Sequence, residues 1–195
     1  ILPANIEEVM ILDADTVISE RCPDPFETFW EREALVAVVN ARQEFGDYQG
    51  IIAAEKQEWR KCQAFFQKCG HENQEGCLKS SAMMARTQHG DQPYFNSGMM
   101  IARREHHEGL FTMAYELCLA DLGLGWGDQT PLNFYAATME IWMHYAPPAW
   151  NMIHADHLLG PDWMGMAEHP ARPFIYHFAG MSNREKTMEQ INCRL

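Results

Sequence analysis

Val9-Met10-Ile11-Leu12-Asp13-Ala14-Asp15 sets a run of four apolar residues against two carboxylates two positions apart. Continuous apolarity this short, with Val and Ile in it, reads as a buried strand that stops where the acids begin. In open α/β sheets that carboxyl edge is where ligands bind. If the backbone stays extended across it, residues i and i+2 point the same way, and Asp13 and Asp15 converge on one cation. Asp-x-Asp after a strand is also ordinary turn and cap chemistry, so the pair alone decides nothing.

A second continuous apolar run, Ala34 to Val39, lacks the alternation of a half-exposed strand and reads as one covered on both faces. Between the two runs, Arg21-Cys22-Pro23-Asp24-Pro25 and the aromatics Phe26, Phe29 and Trp30 predict a loop with a short helical turn over 16–30. From Ala53 to Lys68, Ala54, Trp59, Cys62, Phe65 and Phe66 recur at helical spacing, and Gly70 is a natural stop. His106 to Leu122 repeats the pattern with Leu110, Phe111, Ala114 and Leu117. Strands alternating with such helices predict an α/β layer architecture in one domain spanning 1–195. The polar stretch from His71 to Gln92 reads as an irregular insertion, and a Gly/Pro-rich aromatic loop follows Trp150-Asn151 as far as Pro173.

With 15 basic against 27 acidic residues, the net charge of -12 argues against a generic nucleic-acid surface and against docking on anionic lipid. An anionic substrate then needs a cation or a local basic patch. No apolar stretch reaches the roughly 18 residues of a membrane span. Six cysteines show no disulfide framework and read as free thiols in a reducing, cytoplasmic setting. Cys62, Cys69, His71 and Cys77 fall within sixteen positions but lack the paired knuckles of common zinc sites.

Three further polar stretches interrupt apolar ones. Tyr94-Phe95-Asn96-Ser97-Gly98 heads an apolar strand running to Ala102; these small, poor strand formers let a ligand approach the backbone, or simply make a turn. Asp128, after the Gly123–Gly127 loop, is placed to N-cap a helix from Gln129 to Ala137, with Pro131 in its first turn. Ile141 to Ala146 is a short strand candidate, and Phe174 to Gly180 is the last one, with His177 inside it and Ser182 placed to cap a final helix. A lone histidine on such a strand reads first as a satisfied core residue.

Taken in order, these stretches resemble the family 8 glycosyltransferases, which include glycogenin and bacterial lipopolysaccharide galactosyl- and glucosyltransferases. The resemblance is carried by Asp13-Ala14-Asp15 after a strand, Tyr94-Phe95-Asn96-Ser97-Gly98, Gly127-Asp128-Gln129 followed by Leu132-Asn133, and His177-x-x-Gly180. Trp150-Asn151 adds weaker support. It implies a GT-A type fold, a Rossmann-like mixed sheet flanked by helices, and retaining transfer of a hexose from a nucleotide-diphosphate sugar, most often a UDP-sugar, to an acceptor hydroxyl. Asp13, Asp15 and His177 would hold Mn²⁺ or Mg²⁺, a donor set that suits an open six-coordinate ion better than closed tetrahedral zinc. Gln129 and Asp128 would serve the reacting sugar, with Gln129 beneath the anomeric carbon. Ala14, Asn96, Ser97, Gly180 and Lys186 would contact the donor.

The family writes His-x-x-Gly-x-x-Lys, whereas the third residue after Gly180 is Asn183; Lys186 takes the diphosphate role, with Arg184 second. Only eight residues precede Val9, where the family places a βαβ unit, so the resemblance implies a chain partial at its N-terminus. Two other readings compete. Ile11 to Val17 also resembles the first motif of haloacid dehalogenase-like phosphatases, with Asp13 as nucleophile, but the later motifs of that family are missing. A non-catalytic, transferase-like binding domain is the third.

Overall fold

The computed structural model describes residues 5–40, 48–68, 93–120, 122–153 and 173–178. Strand β1 (Glu8–Leu12) leads through a turn into β2 (Thr16–Ile18), a strand that the turn-rich composition of 16–30 concealed. Helix α1 (Pro25–Thr28) starts on Asp24, whose carboxylate accepts from the N–H groups of Phe26 at 2.8 Å and Glu27 at 3.3 Å. Then come β3 (Leu35–Val39), α2 (Tyr48–Lys68), β4 (Phe95–Arg103), α3 (Arg104–Cys118) and α4 (Gln129–Thr138). β5 (Met143–Tyr145), a 3-10 turn over Pro148–Trp150, β6 (Met152–Ile153) and β7 (Ile175–His177) complete the described elements.

Two sheets form among the described residues, one in the order β1-β4-β3-β5 and one in the order β2-β7-β6. β4 runs antiparallel to both of its neighbours, β3 and β5 are parallel, and the second sheet is likewise mixed. The mixed α/β architecture agrees with the sequence reading. The place of β1 differs from it: all five residues are half-buried, and among the described residues β1 pairs on one side only.

The apolar runs are continuous because both faces of the larger sheet are covered. Leu35, Ala37, Met100 and Ala102 point into a core built with Trp59 and Cys62 of α2, Leu110 and Leu117 of α3, and Leu132 and Phe134 of α4. Their alternates, Val36, Val38, Met99 and Ile101, pack on the other side against Phe29, Trp150 and Ile175. Among the described residues, three helices thus cover one face, while the second sheet and its neighbouring turns cover the other. α2 begins five residues before the expected Ala53, and α3 runs from Arg104 to Cys118 rather than to Leu122. The expected strand at Ile141 to Ala146 contracts to β5. Cys62 belongs to the apolar core, where burial pushes its thiol up to about 12. Cys69, His71 and Cys77, the 71–92 insertion and the helix expected from Asn183 lie outside the described residues.

β4 carries the irregularity that matters for the site. Ala37 pairs with Met100, but the next residue, Val38, pairs with Asn96, so Ser97, Gly98 and Met99 bulge out of the β3 ladder. A bulge bends a strand and re-aims its side chains. It falls where β1 and β3 end and β4 begins.

Candidate metal centre

The turn after β1 brings the two carboxylates together. Thr16 N–H donates to Asp13 O at 3.2 Å and the Thr16 hydroxyl donates to the same oxygen at 2.8 Å, closing a tight turn over Ala14 and Asp15. Convergence therefore comes from a turn, not from the extended backbone the spacing suggests. Backbone bonds pin both acids to the strands beside them. Asp13 N–H donates to Gly98 O at 3.1 Å, and Phe178 N–H donates to Asp15 O at 2.9 Å.

β2 and β7 then place the imidazole. Thr16 and His177 are register partners, which sets His177 against the turn. His177 Nε2 stands 3.3 Å from Asp13 Oδ2 and 3.3 Å from Asp15 Oδ1. One donor atom from each of the three residues lies within 4.8 Å of the other two. Neighbouring ligands at right angles around a Mg²⁺-sized ion, each about 2.1 Å from it, stand roughly 3.0 Å apart, so these separations fit one small cation. Asp13 is exposed and Asp15 half-buried, whereas His177 is fully buried, so the group opens on its carboxylate side.

What holds His177 is a chain of amides. Its Nδ1 lies 3.0 Å from Asn151 Oδ1; Asn151 Nδ2 donates to Asn96 Oδ1 at 2.8 Å; and that same oxygen accepts Gly98 N–H at 2.8 Å. On its other side Asn96 Nδ2 donates to Gln129 Oε1 at 2.8 Å, and Gln129 Oε1 also accepts Ser97 N–H at 3.1 Å. Gly98 permits the arrangement. A side-chain carbon there would overlap His177 Cε1 and stand 2.6 Å from Nδ1. The backbone at Gly98 is thus approached by the protein's own imidazole.

Gln129 is buried, and the two hydrogen bonds occupy both lone pairs of its amide oxygen. Asn133 docks the first turn of α4 on the head of β4: its Oδ1 accepts Phe95 N–H at 2.8 Å, and its Nδ2 donates to Phe95 O and Gln129 O, each at 2.8 Å. Asp128 occupies the N-cap position expected of it but makes no side-chain cap bond. Ser97 Oγ instead makes a long 3.5 Å contact to its carboxylate. Desolvation by the surrounding protein, and then the negative charge of Asp13, raise the Asp128 pKa above the ordinary carboxylate value, although the residue keeps an open face to solvent.

The glycine loop before Asp128 is fastened to α2. Buried Glu58 accepts Gly125 N–H at 2.8 Å and pairs with Lys61 Nζ at 2.7 Å, while Lys61 Nζ donates to Gly123 O at 2.6 Å. Gly123 (φ 60°) and Gly127 (φ 56°) take backbone conformations that a side chain disfavours.

Of the residues singled out in the sequence, Asp13, Asp15, His177, Asn96, Ser97, Asp128 and Gln129 come together, and Ala14 is the exposed tip of the turn. Gly180, Lys186 and Arg184 lie outside the described residues. Asn40 joins without having been foreseen: its Oδ1 faces Asn96 Nδ2 at 3.4 Å, and its Nδ2 donates to Glu55 Oε1 at 3.0 Å. The only signal for it was a polar residue closing an apolar strand.

No protein-family model matches the sequence, and no curated protein matches it. Among solved structures, the chain is similar to the galactosyltransferase LgtC in complex with donor and acceptor sugar analogues, at 14% identity over 98% of this chain and 63% of that chain, with a TM-score of 0.49. It is similar to mouse xyloside xylosyltransferase 1, at 18% identity over 92% of this chain and 60% of that chain, with a TM-score of 0.49. It is also similar to the bifunctional glycosyltransferase WbbM, at 16% identity over 95% of this chain and 32% of that chain, with a TM-score of 0.48. The chain spans less than two thirds of the length of each.

Proposed function

We propose that this chain is a GT-A type, metal-dependent retaining glycosyltransferase domain that moves a hexose from a nucleotide-diphosphate sugar, in the first instance a UDP-sugar, to an acceptor hydroxyl. The observation that carries the reading is the convergence of Asp13, Asp15 and His177 on one small volume beside the Asn96, Ser97, Asp128 and Gln129 cluster. Two carboxylates and one imidazole make an oxygen-rich donor set, which suits Mn²⁺ or Mg²⁺. The chain's net charge of -12 makes a cation the natural bridge to a diphosphate. Held by Asp13, Asp15 and His177, a divalent ion would supply positive charge to offset that of the departing nucleoside diphosphate.

The other roles follow from how each group is held. Asp13 and Asp15 present carboxylates on the open side, and His177 closes the buried side. Asp128, exposed and backed by the buried Ser97, takes a sugar hydroxyl. Gln129 is a rigid, weakly nucleophilic amide whose oxygen already accepts from Asn96 Nδ2 and Ser97 N–H, which makes it unsuited to covalent attack. Electrostatic support of positive charge at the anomeric carbon would require it to give up one of these bonds when donor binds. Ala14 and Asn96 border the donor; the family resemblance assigns Gly180 and Lys186, which lie outside the described residues, to the diphosphate.

The purified chain with Mn²⁺ and a panel of nucleotide sugars tests the reading. Slow donor hydrolysis, abolished by EDTA and strongly reduced in Asp13→Asn, is the expected result. Release of phosphate from a phosphomonoester, with no turnover of nucleotide sugars, would replace it with phosphatase chemistry. Nucleotide-sugar binding without turnover would reduce it to a binding domain.

A further inference from the structure

The orientation of every amide near His177 is fixed by backbone groups that cannot be reassigned. Gly98 N–H is a donor, so the atom it meets at 2.8 Å must be the oxygen of Asn96. That oxygen then requires the amino group of Asn151 at 2.8 Å, which leaves Asn151 Oδ1 facing His177 Nδ1 at 3.0 Å. Ser97 N–H fixes the far end in the same way: it requires an oxygen on Gln129, and Gln129 Oε1 requires the amino group of Asn96. Asn151 Oδ1 can only accept, so Nδ1 carries the proton. Nε2 is left to face the two carboxylates at 3.3 Å.

We propose that Asn151, anchored by Asn96 on Gly98 N–H, is the positioning residue that commits the His177 lone pair to a cation at Nε2. The inference rests on the reading of Asp13, Asp15 and His177 as a cation site. Without the relay, a neutral imidazole would put its single proton on Nε2, toward two anionic oxygens, and an incoming cation would have to displace it. With the relay, that tautomer sets the Nδ1 lone pair against the Asn151 oxygen. The relay also reaches Gln129 through Asn96, so the cation site and the group beneath the sugar share one set of fixed dipoles. His177, Asn151, Asn96 and Gln129 are all buried, which protects the chain of bonds from exchange with water.

Two substitutions separate positioning from stability. Asn151→Leu fills the space but offers no acceptor; Asn151→Asp keeps an acceptor for Nδ1–H while turning a second oxygen toward Asn96 Oδ1, which lowers stability. Mn²⁺ affinity is measured by calorimetry, and the His177 Nδ1–H resonance is followed by ¹⁵N-edited NMR in the metal-free and Mg²⁺-loaded protein. Loss of an outer partner to a ligating histidine commonly costs about 10–100-fold in metal affinity, and that loss is expected for Asn151→Leu together with loss of the Nδ1–H signal. Asn151→Asp is expected to keep the signal and bind within a few-fold of the parent despite its lower melting temperature. Wild-type affinity in Asn151→Leu, or affinity that simply tracks stability in both variants, overturns the proposal. Should Asn151→Leu not fold, Asn151→Ala, which also offers no side-chain acceptor, provides the same comparison. If the parent chain binds neither Mn²⁺ nor Mg²⁺, the cation reading falls, and the NMR signal alone decides whether the relay sets the tautomer.

Discussion

Gly98 concentrates the demands of the site on one residue. It sits in the β4 bulge, its carbonyl receives Asp13 N–H, its N–H fixes Asn96, and the missing side chain leaves room for the His177 ring. Gly98→Ala therefore acts through displacement. The added carbon would overlap Cε1 in a region where the ring, the bulge and Asn96 are all buried, so the imidazole has to move. Overpacking of this kind costs about 1–3 kcal/mol, and urea titration should show a loss of that size. Mn²⁺ affinity should fall with it, because Nε2 leaves its 3.3 Å position between the carboxylates. A variant as stable as the parent with unchanged affinity would show that the ring has space the structure does not give it. In sequence, Gly98 reads only as a small residue in a poor strand former's position. The atom that requires it belongs to a residue 79 positions later, beyond the reach of any local pattern.

Among the elements, α2 shows how a plain amphipathic helix is tied to the site. One turn apart, Glu58 fastens the glycine loop and Glu55 meets Asn40, which in turn faces Asn96. Burial pushes the Glu55 carboxyl up to about 7, partly opposed by the Asn40 hydrogen bond and by Lys56. The unfolded chain releases this proton near 4.5, the folded chain only near 7, so between those values the unfolded state binds fewer protons and stability falls as pH rises. Glu55→Gln keeps an oxygen for Asn40 Nδ2 and has no proton to lose. Its urea midpoint should match the parent below about pH 4.5 and exceed it increasingly up to about pH 7, then level off. Parallel midpoints across that range would refute a half-buried Glu55 that keeps its proton in the folded chain. Legibility at this scale follows the source of each element's stability. β3 and β4 were readable because burial on both sides leaves a continuous apolar signature, and α4 because a glycine loop, Asp128 and Pro131 mark its start. β2 was not, because three residues fixed by pairing with β7 carry too little pattern to stand out from a Pro- and Asp-rich loop. Asp128 was placed correctly at the start of α4, but its side chain turns to Ser97, a choice set by tertiary neighbours and not by helix propensity.

At the scale of the molecule, the triad lies where the two sheets meet. Asp13 follows β1 of the larger sheet, Asp15 precedes β2 of the smaller, and His177 ends β7. A cation shared by the three would join the sheets at a point where Asp13 also raises the pKa of Asp128, an electrostatic burden that positive charge relieves. Binding to the folded chain alone stabilises it by mass action, about 2.7 kcal/mol when the free ion stands at 100 times its Kd. For a chain of this size that corresponds to a rise in Tm on the order of 5–10 °C. The strongly acidic surface would also collect cations loosely, so the comparison must separate site binding from screening. Asp13→Asn should abolish the Mn²⁺-dependent rise, while Glu116→Gln, an exposed carboxylate on α3, should leave it intact. Raising monovalent salt at constant charge should not reproduce it. An equal rise in all three proteins would assign the effect to surface charge and remove the cation from the junction between the sheets.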